Sequence, residues 1–235
     1  MMKPYIQLTD LHQAATDAFC DLANQCIASN GLFRVSLSGG STPKRLYEMI
    51  AQRDLDWTRI HWFWGDERNV PSDSPDSNFK MVREAILDKR KVPQANIHNV
   101  PVNVDDPASA ALAYERTLRE HFSDQPMPAW DLVLLGMGDD AHTASLFPRT
   151  KAIDESSRWF VENWVEKFDA FRYTLTAPAI NSGKEIWFLV AGDSKKTALA
   201  NVFSENQRPN EYPSQLIRPT RWFVTQDACP DSLVR

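Results

Sequence analysis

The chain has 235 residues, 43% of them hydrophobic and 24% charged, with a formal net charge of −5. This globular composition excludes a disordered or fibrous chain, and the acidic balance argues against nucleic acid or an anionic membrane as partner, because both select a positive field. The apolar runs fall short of the roughly 18–20 residues of a membrane span, no secretory h-region is apparent, and Cys20, Cys26 and Cys229 show no CxxC spacing, so the expectations are a cytoplasmic protein with neither a disulfide framework nor a zinc site.

In chain order, Leu11 to Ile27 carries apolar residues at helical spacing, with Thr9 or Asp10 as the expected start and Asn30-Gly31 as a left-handed stop. RVSLSGG (34–40) predicts a strand running into paired glycines, and STPKRLYEMIAQ (41–52) a helix opened by cap residues and Pro43. IHWFWGDE (60–67) predicts a second strand, Ser77 to Leu87 a helix, NIHNVPV (96–102) a short strand and Pro107 to Phe122 a helix. WDLVLLGMG (130–138) and EIWFLVAG (185–192) predict buried strands, Lys195 to Phe203 a helix, and RWFVT (221–225) a closing strand. Nearly apolar strands alternating with helices imply an α/β fold: a mostly parallel, Rossmann-like sheet with helices on both faces. With no linker, repeat or low-complexity tract, residues 1–235 are expected to form a single domain.

Gly39, Gly40, Gly65, Gly136, Gly138 and Gly192 fall at the C-terminal ends of the expected strands. In open α/β sheets ligands bind beyond those ends. Three segments there carry chemistry. In SLSGGSTP (36–43), the backbone N–H groups of Ser38, Gly39, Gly40, Ser41 and Thr42 meet a helix N-terminus, which suits a phosphate. The loop matches neither GxxxxGK[ST] nor GxGxxG, so nucleotide binding is unsupported. In GDER (65–68), Asp66 can orient a hydroxyl or a water and Arg68 can grip an anion, while Glu67 reads as a surface ion-pair residue.

In GMGDDAHTASLFP (136–148), His142 follows Asp140 by two residues. An imidazole suits proton abstraction from water, and a carboxylate can fix its tautomer. Thr143 and Ser145 are expected to cap a short helix ended by Pro148. Arg172 and Lys195 add cations near strand ends, whereas Lys196 is expected to face solvent. His12, His61, His98 and His121 read as surface or satisfied core residues, and no HExxH or paired His/Cys spacing supports a metal.

SLSGGSTPKRLY, WGDERNVP, GMGDDAHTASLFP, RYTLTAPAIN, GDSKKTAL and PSQLIRPT, in this order, resemble the 6-phosphogluconolactonase family, related to the glucosamine-6-phosphate deaminases. The resemblance implies their shared α/β architecture and hydrolysis of 6-phosphoglucono-1,5-lactone to 6-phosphogluconate in the oxidative pentose phosphate pathway, without cofactor or metal. It implies His142 as general base, Ser38 to Thr42, Arg172 and Lys195 as sugar- or phosphate-binding groups, and Asp66 and Arg68 beside them. A deaminase-type isomerase and an inactive sugar-phosphate-binding protein are the alternatives. The partner implied is a small sugar-phosphate lactone, bound by a monomer or small homo-oligomer. Two positions depart from the family pattern: Ala141 stands where Gly is usual, costing on the order of 1 kcal/mol if φ is positive there, and Thr225 stands near the usual place of an Asp-containing helix start.

Overall fold

The computed structural model describes residues 2–123 and 125–234. Its centre is built by the most apolar runs: β1 (Phe33–Leu37), β2 (Ile60–Trp64), β5 (Leu132–Gly136) and β8 (Glu185–Val190). Successive strand residues point to opposite faces, yet nearly all of these are buried, so both faces of the sheet are covered. With β4 (Ile97–His98) and β9 (Arg221–Val224) at its edges, the sheet runs β4-β2-β1-β5-β8-β9. Every pairing in it is parallel. The order reverses between β1 and β5, the point at which such sheets open a crevice for ligands.

The helices follow the expected pattern with shifted ends. α1 (Leu8–Asn30) starts after Gln7, without the side-chain cap expected from Thr9 or Asp10, and ends at Gly31 with φ 80°. It packs on α2 (Ser41–Ile50), which packs on α3 (Asn78–Ala85). Ser77 caps α3 by accepting from the Lys80 N–H, and Asp106 caps α4 (Pro107–His121) through Ser109. α5 (Ala177–Asn181) and α6 (Lys196–Val202) complete the set. The core between these layers is strongly aromatic, with Trp62, Trp64, Trp130, Trp159 and Trp187 essentially inaccessible. No helix of the described residues is long and apolar enough to cross a membrane.

A second sheet was not expected from the sequence. β3 (Asp66–Arg68), β7 (Ala170–Leu175) and β6 (Phe160–Val165) form an antiparallel sheet in the order β3-β7-β6. The expected strand over 60–67 therefore divides at Gly65. There the Gly65 N–H donates to Leu37 O in the large sheet, while Gly65 O accepts from the Leu175 N–H in the small one. A Cβ at Gly65 would press on Ser36 Oγ and Leu37 O, so only glycine lets the chain pass between the sheets. α4 packs against β6 and β7. The small sheet thus hangs Asp66 and Arg68 over the crevice that the large sheet opens.

Candidate active site

At the reversal point, the ends of β1 and β5 open a cleft of about 240 Å³. Ser38, Gly39, Gly40, Ser41, Thr42, Asp66, Arg68, His142 and Lys195 all line it, joined by Met137, Gly138 and Leu189. Asp140 and Arg172 do not line it. Asp140 lies behind His142, and Arg172 stands opposite Arg68 in the β3–β7 register.

The wall after β1 is held rigidly. The Ser38 N–H donates to Tyr47 Oη at 3.0 Å, and the Tyr47 hydroxyl donates to Ser38 O at 2.8 Å. Gly39 lies against the Asn78 side chain, which a Cβ would overlap, and Asn78 Nδ2 donates to Asp66 O at 3.0 Å. Gly40, at φ 104°, turns the chain into α2. The first N–H groups of a helix have no intrahelical acceptor, so the start of α2 presents donors to the cleft. His12 Nε2 meets Thr42 O at 2.9 Å, fixing this loop from α1. Ser38 Oγ is buried with no partner among the described residues, a free hydroxyl beside the same wall.

Asp66 is buried, and its Oδ2 accepts from Ser145 Oγ at 3.0 Å. Burial pushes its carboxyl up, against the opposing pull of Arg68, the Ser145 hydrogen bond, His142 and Arg172. Arg68 reaches Asp76 O through Nη1 at 2.7 Å. Burial and the nearby Arg68 push the Arg172 guanidinium down, and Arg172 rests over the Phe168 ring. Glu67 is not the surface residue expected from the sequence. It is buried and accepts from the backbone N–H groups of Asn78 and Phe79 and from Ser77 Oγ, so it anchors the start of α3.

His142 Nδ1 lies 2.5 Å from Asp140 Oδ1, and the His142 N–H also donates to that oxygen at 3.2 Å. Asp140 Oδ2 accepts from Lys167 Nζ at 3.1 Å. Although partial burial pushes the carboxyl up, the His142 and Lys167 contacts outweigh it and hold Asp140 far below the usual carboxylate range. An ionised Asp140 accepts only, so His142 Nδ1 carries the proton and, in the neutral ring, the lone pair falls on Nε2. The ring stacks on Phe147 with centroids 4.0 Å apart. Gly138 makes room for it, since a Cβ there would overlap the imidazole.

Ala141 has φ 60°, so the position does impose the left-handed backbone; its carbonyl accepts from Ser214 N–H at 3.0 Å and Ser214 Oγ at 2.8 Å. The short helix expected after His142 does not form. Ala144 (φ 47°) and Arg149 (φ 61°) are also left-handed, and Thr143 and Ser145 bond Gly136 O and Asp66 rather than capping. Thr225 Oγ1 accepts from the Gly192 N–H and donates to Asp227, securing the loop that carries Lys195. Lys196 points away and pairs with Asp231.

Sequence reasoning missed Tyr47, Asn78 and Lys167, which support the site from distant positions, and gave Ser145 a capping role in place of its bond to Asp66. It also read His61, His98 and His121 separately, whereas the fold brings them together. Burial, then mutual proximity, pushes His98 down to about 4 and His121 to about 3.

Comparison with known proteins bears on the fold and the family. The family model for glucosamine-6-phosphate isomerases/6-phosphogluconolactonase matches residues 7–226. The chain is 46% identical over 213 residues to a 6-phosphogluconolactonase of Nostoc sp., covering 90% of this chain and 88% of that one. It is 37% identical over 195 residues to that of Mycobacterium leprae, covering 80% and 79%. Among solved structures, 6-phosphogluconolactonase from Trypanosoma cruzi superposes with a TM-score of 0.84 at 26% identity, covering 96% of this chain and 95% of the other. The Thermotoga maritima enzyme gives 0.80 at 28%, covering 92% and 95%. Conserved architecture, the strand-end cleft and these likenesses lead to one conclusion: the chain belongs to the glucosamine-6-phosphate isomerase/6-phosphogluconolactonase family.

Proposed function

We propose that this protein hydrolyses 6-phosphoglucono-1,5-lactone to 6-phosphogluconate, with His142 as the general base acting on water. The observation that carries the reading is His142 itself. Its Nδ1 is committed to an ionised Asp140, and the ring lines a cleft that is also lined by a helix N-terminus suited to phosphate. The relatives named 6-phosphogluconolactonase support the substrate.

In this mechanism the phosphate rests on the Ser41 and Thr42 N–H groups at the start of α2, with Arg68 and Lys195 supplying positive charge in the cleft; the Ser38 N–H, expected as a further donor, is committed to Tyr47 instead. Arg172, outside the cleft lining, reinforces the field of Arg68 from the adjacent strand. Anchoring the phosphate places the lactone carbonyl against the base and replaces a bimolecular encounter with a positioned one. Nε2 of His142 takes a proton as water oxygen bonds to C1. Asp140 stabilises the imidazolium that results, and Lys167 holds Asp140. The N–H groups of Gly39 and Gly40 stabilise the tetrahedral oxyanion. The intermediate collapses by breaking the bond from C1 to the ring oxygen, which takes the proton back from His142. Asp66, bonded to Ser145, orients the water or a sugar hydroxyl.

Purified protein mixed with the lactone should release acid faster than the spontaneous reaction, and His142→Ala should abolish most of the excess. Unchanged acceleration in that variant would refute the base, and ammonia release from glucosamine 6-phosphate would move the substrate to the other branch of the family.

A further inference from the structure

We propose that His61, His98 and His121 form a binding site for a divalent transition-metal ion of the zinc type, separate from the lactone cleft. The fold assembles it from three elements. The parallel register sets His98 of β4 beside Phe63 of β2, with His61 on the same face of β2 two residues earlier. His121, the last residue of α4, comes over this face, its ring 4.8 Å from that of His61 and 4.9 Å from that of His98.

One donor nitrogen from each ring lies within 4.8 Å of the others. His61 Nδ1 and His98 Nε2 are 3.2 Å apart. Two imidazoles on a tetrahedral ion with bonds of 2.0–2.1 Å would place their nitrogens about 3.3 Å apart. His61 and His98 have no other side-chain hydrogen bond among the described residues, so their nitrogens face each other instead of being engaged elsewhere. The walls are apolar: Phe63 stacks on His98 at 4.3 Å and meets His121 edge-on, with Phe122 behind. Such a shell fixes ring orientation around an ion. An all-imidazole set suits Zn²⁺, Ni²⁺ or Cu²⁺ and lacks the oxygen ligands that Mg²⁺ and Ca²⁺ prefer. Three protein ligands leave a fourth position for water.

Arg34 opposes the ion. Its Nε donates to His121 Nε2 at 3.3 Å, with the guanidinium over the Phe122 ring. A guanidinium this close to the rings repels a cation, so its charge weakens affinity. His61 lies three residues before the C-terminal end of β2, about 10 Å along the strand. An ion here clamps the two-residue edge strand β4 to β2 and α4 without touching the lactone.

The test uses the full chain, free of any affinity tag and stripped with a chelator, titrated with ZnCl₂ by calorimetry and with Co²⁺ by visible absorption. Expected is one equivalent bound, a tetrahedral cobalt spectrum, and a Tm raised by about 5–10 °C at a hundredfold excess over Kd. His98→Gln and His121→Gln should each abolish this, while His142→Gln, which alters the lactone cleft, should leave stoichiometry unchanged. Arg34→Gln should tighten binding at least about tenfold, a readout that does not depend on the histidine variants folding. No saturable uptake, uptake that survives both histidine changes, or uptake lost with His142→Gln would overturn the proposal.

Discussion

Asp140→Asn is the sharpest test of how His142 is set. Asp140 Oδ1 faces His142 Nδ1 at 2.5 Å, and Oδ2 faces Lys167 Nζ at 3.1 Å. An asparagine keeps the shape but offers one acceptor and one donor group. Two donors compete for the amide oxygen: the Lys167 ammonium, and the His142 backbone N–H that meets Oδ1 at 3.2 Å; the charged donor makes the stronger bond, so the amide oxygen turns toward Lys167 and the NH₂ toward His142. Nδ1 must then accept, the proton moves to Nε2, and the imidazole faces the cleft without its lone pair. The substitution also removes the charge that stabilises the imidazolium. Loss of general-base catalysis is worth about 10²–10⁴ in rate, or about 2.7–5.4 kcal/mol at 1.36 kcal/mol per decade. Lactonase kinetics, corrected for spontaneous hydrolysis, should show that loss in kcat with KM nearly unchanged, because the phosphate loop is untouched. Lys167→Met added to Asp140→Asn frees the amide to rotate and should restore about tenfold. A kcat for Asp140→Asn within threefold of the parent, or no gain in the double variant, would refute the tautomer argument.

Three further outcomes follow from the same geometry. Burial raises the Asp66 pKa above its ordinary 3.8, so between those two values the native state binds more protons than the unfolded one, and stability falls as pH rises. Asp66→Asn should therefore raise Tm by a few degrees at pH 7, roughly 2–4 °C per kcal/mol, lose that advantage below about pH 4, and lower kcat/KM; a lower Tm at pH 7 would contradict it. Gly138→Ala puts a Cβ where the His142 ring and Asp140 Oδ1 sit, so kcat should drop at least about 100-fold with a cooperative thermal transition retained. Ala141→Gly relieves a left-handed alanine costing about 1–2 kcal/mol, less the roughly 0.5–1 kcal/mol entropy of glycine; denaturant melts should show a stability gain of up to about 1 kcal/mol, and a clear loss would mean that the backbone is not strained there.

The parallel sheet was legible because its inner strands, such as LVLLG and IHWFW, are buried on both faces and read as unbroken apolar runs. The antiparallel sheet was not. β3 spans three residues, and β6 and β7 mix buried and partly exposed positions, FVENWV and AFRYTL, too short and too polar to signal a strand alone. The cleft lining was legible wherever glycines and hydroxyls follow a strand, as in SLSGG. Its supports were not, because they act across the chain: Ser145 reaches Asp66, Asn78 packs on Gly39, and Lys167 comes from a turn between β6 and β7. The histidine cluster was invisible for the same reason. Metal-site patterns depend on local spacing, while His61, His98 and His121 meet only through strand register and the end of a helix.

The segment from Gly138 to Arg149 also explains why a helix reading of it fails. The helix expected between His142 and Pro148 would need right-handed dihedrals throughout, yet Ala144 within it is left-handed, as are Ala141 before it and Arg149 after it. Left-handed residues without glycine persist only where surroundings over-determine them, and here each stretch is tied to a different element. Thr143 Oγ1 donates to Gly136 O on β5, and the Ser145 N–H donates to Thr174 Oγ1 on β7. Ser145 Oγ binds Asp66 on β3, Ser214 holds Ala141 O, and the Arg149 N–H donates to Asn210 O. His142 thus takes its orientation from both sheets and the C-terminal segment together, so a loosened tie far from the cleft should displace the imidazole before it unfolds the protein. The left-handed Ala141 is then a local cost of facing the base toward the lactone, offset by contacts that hold the two sheets together.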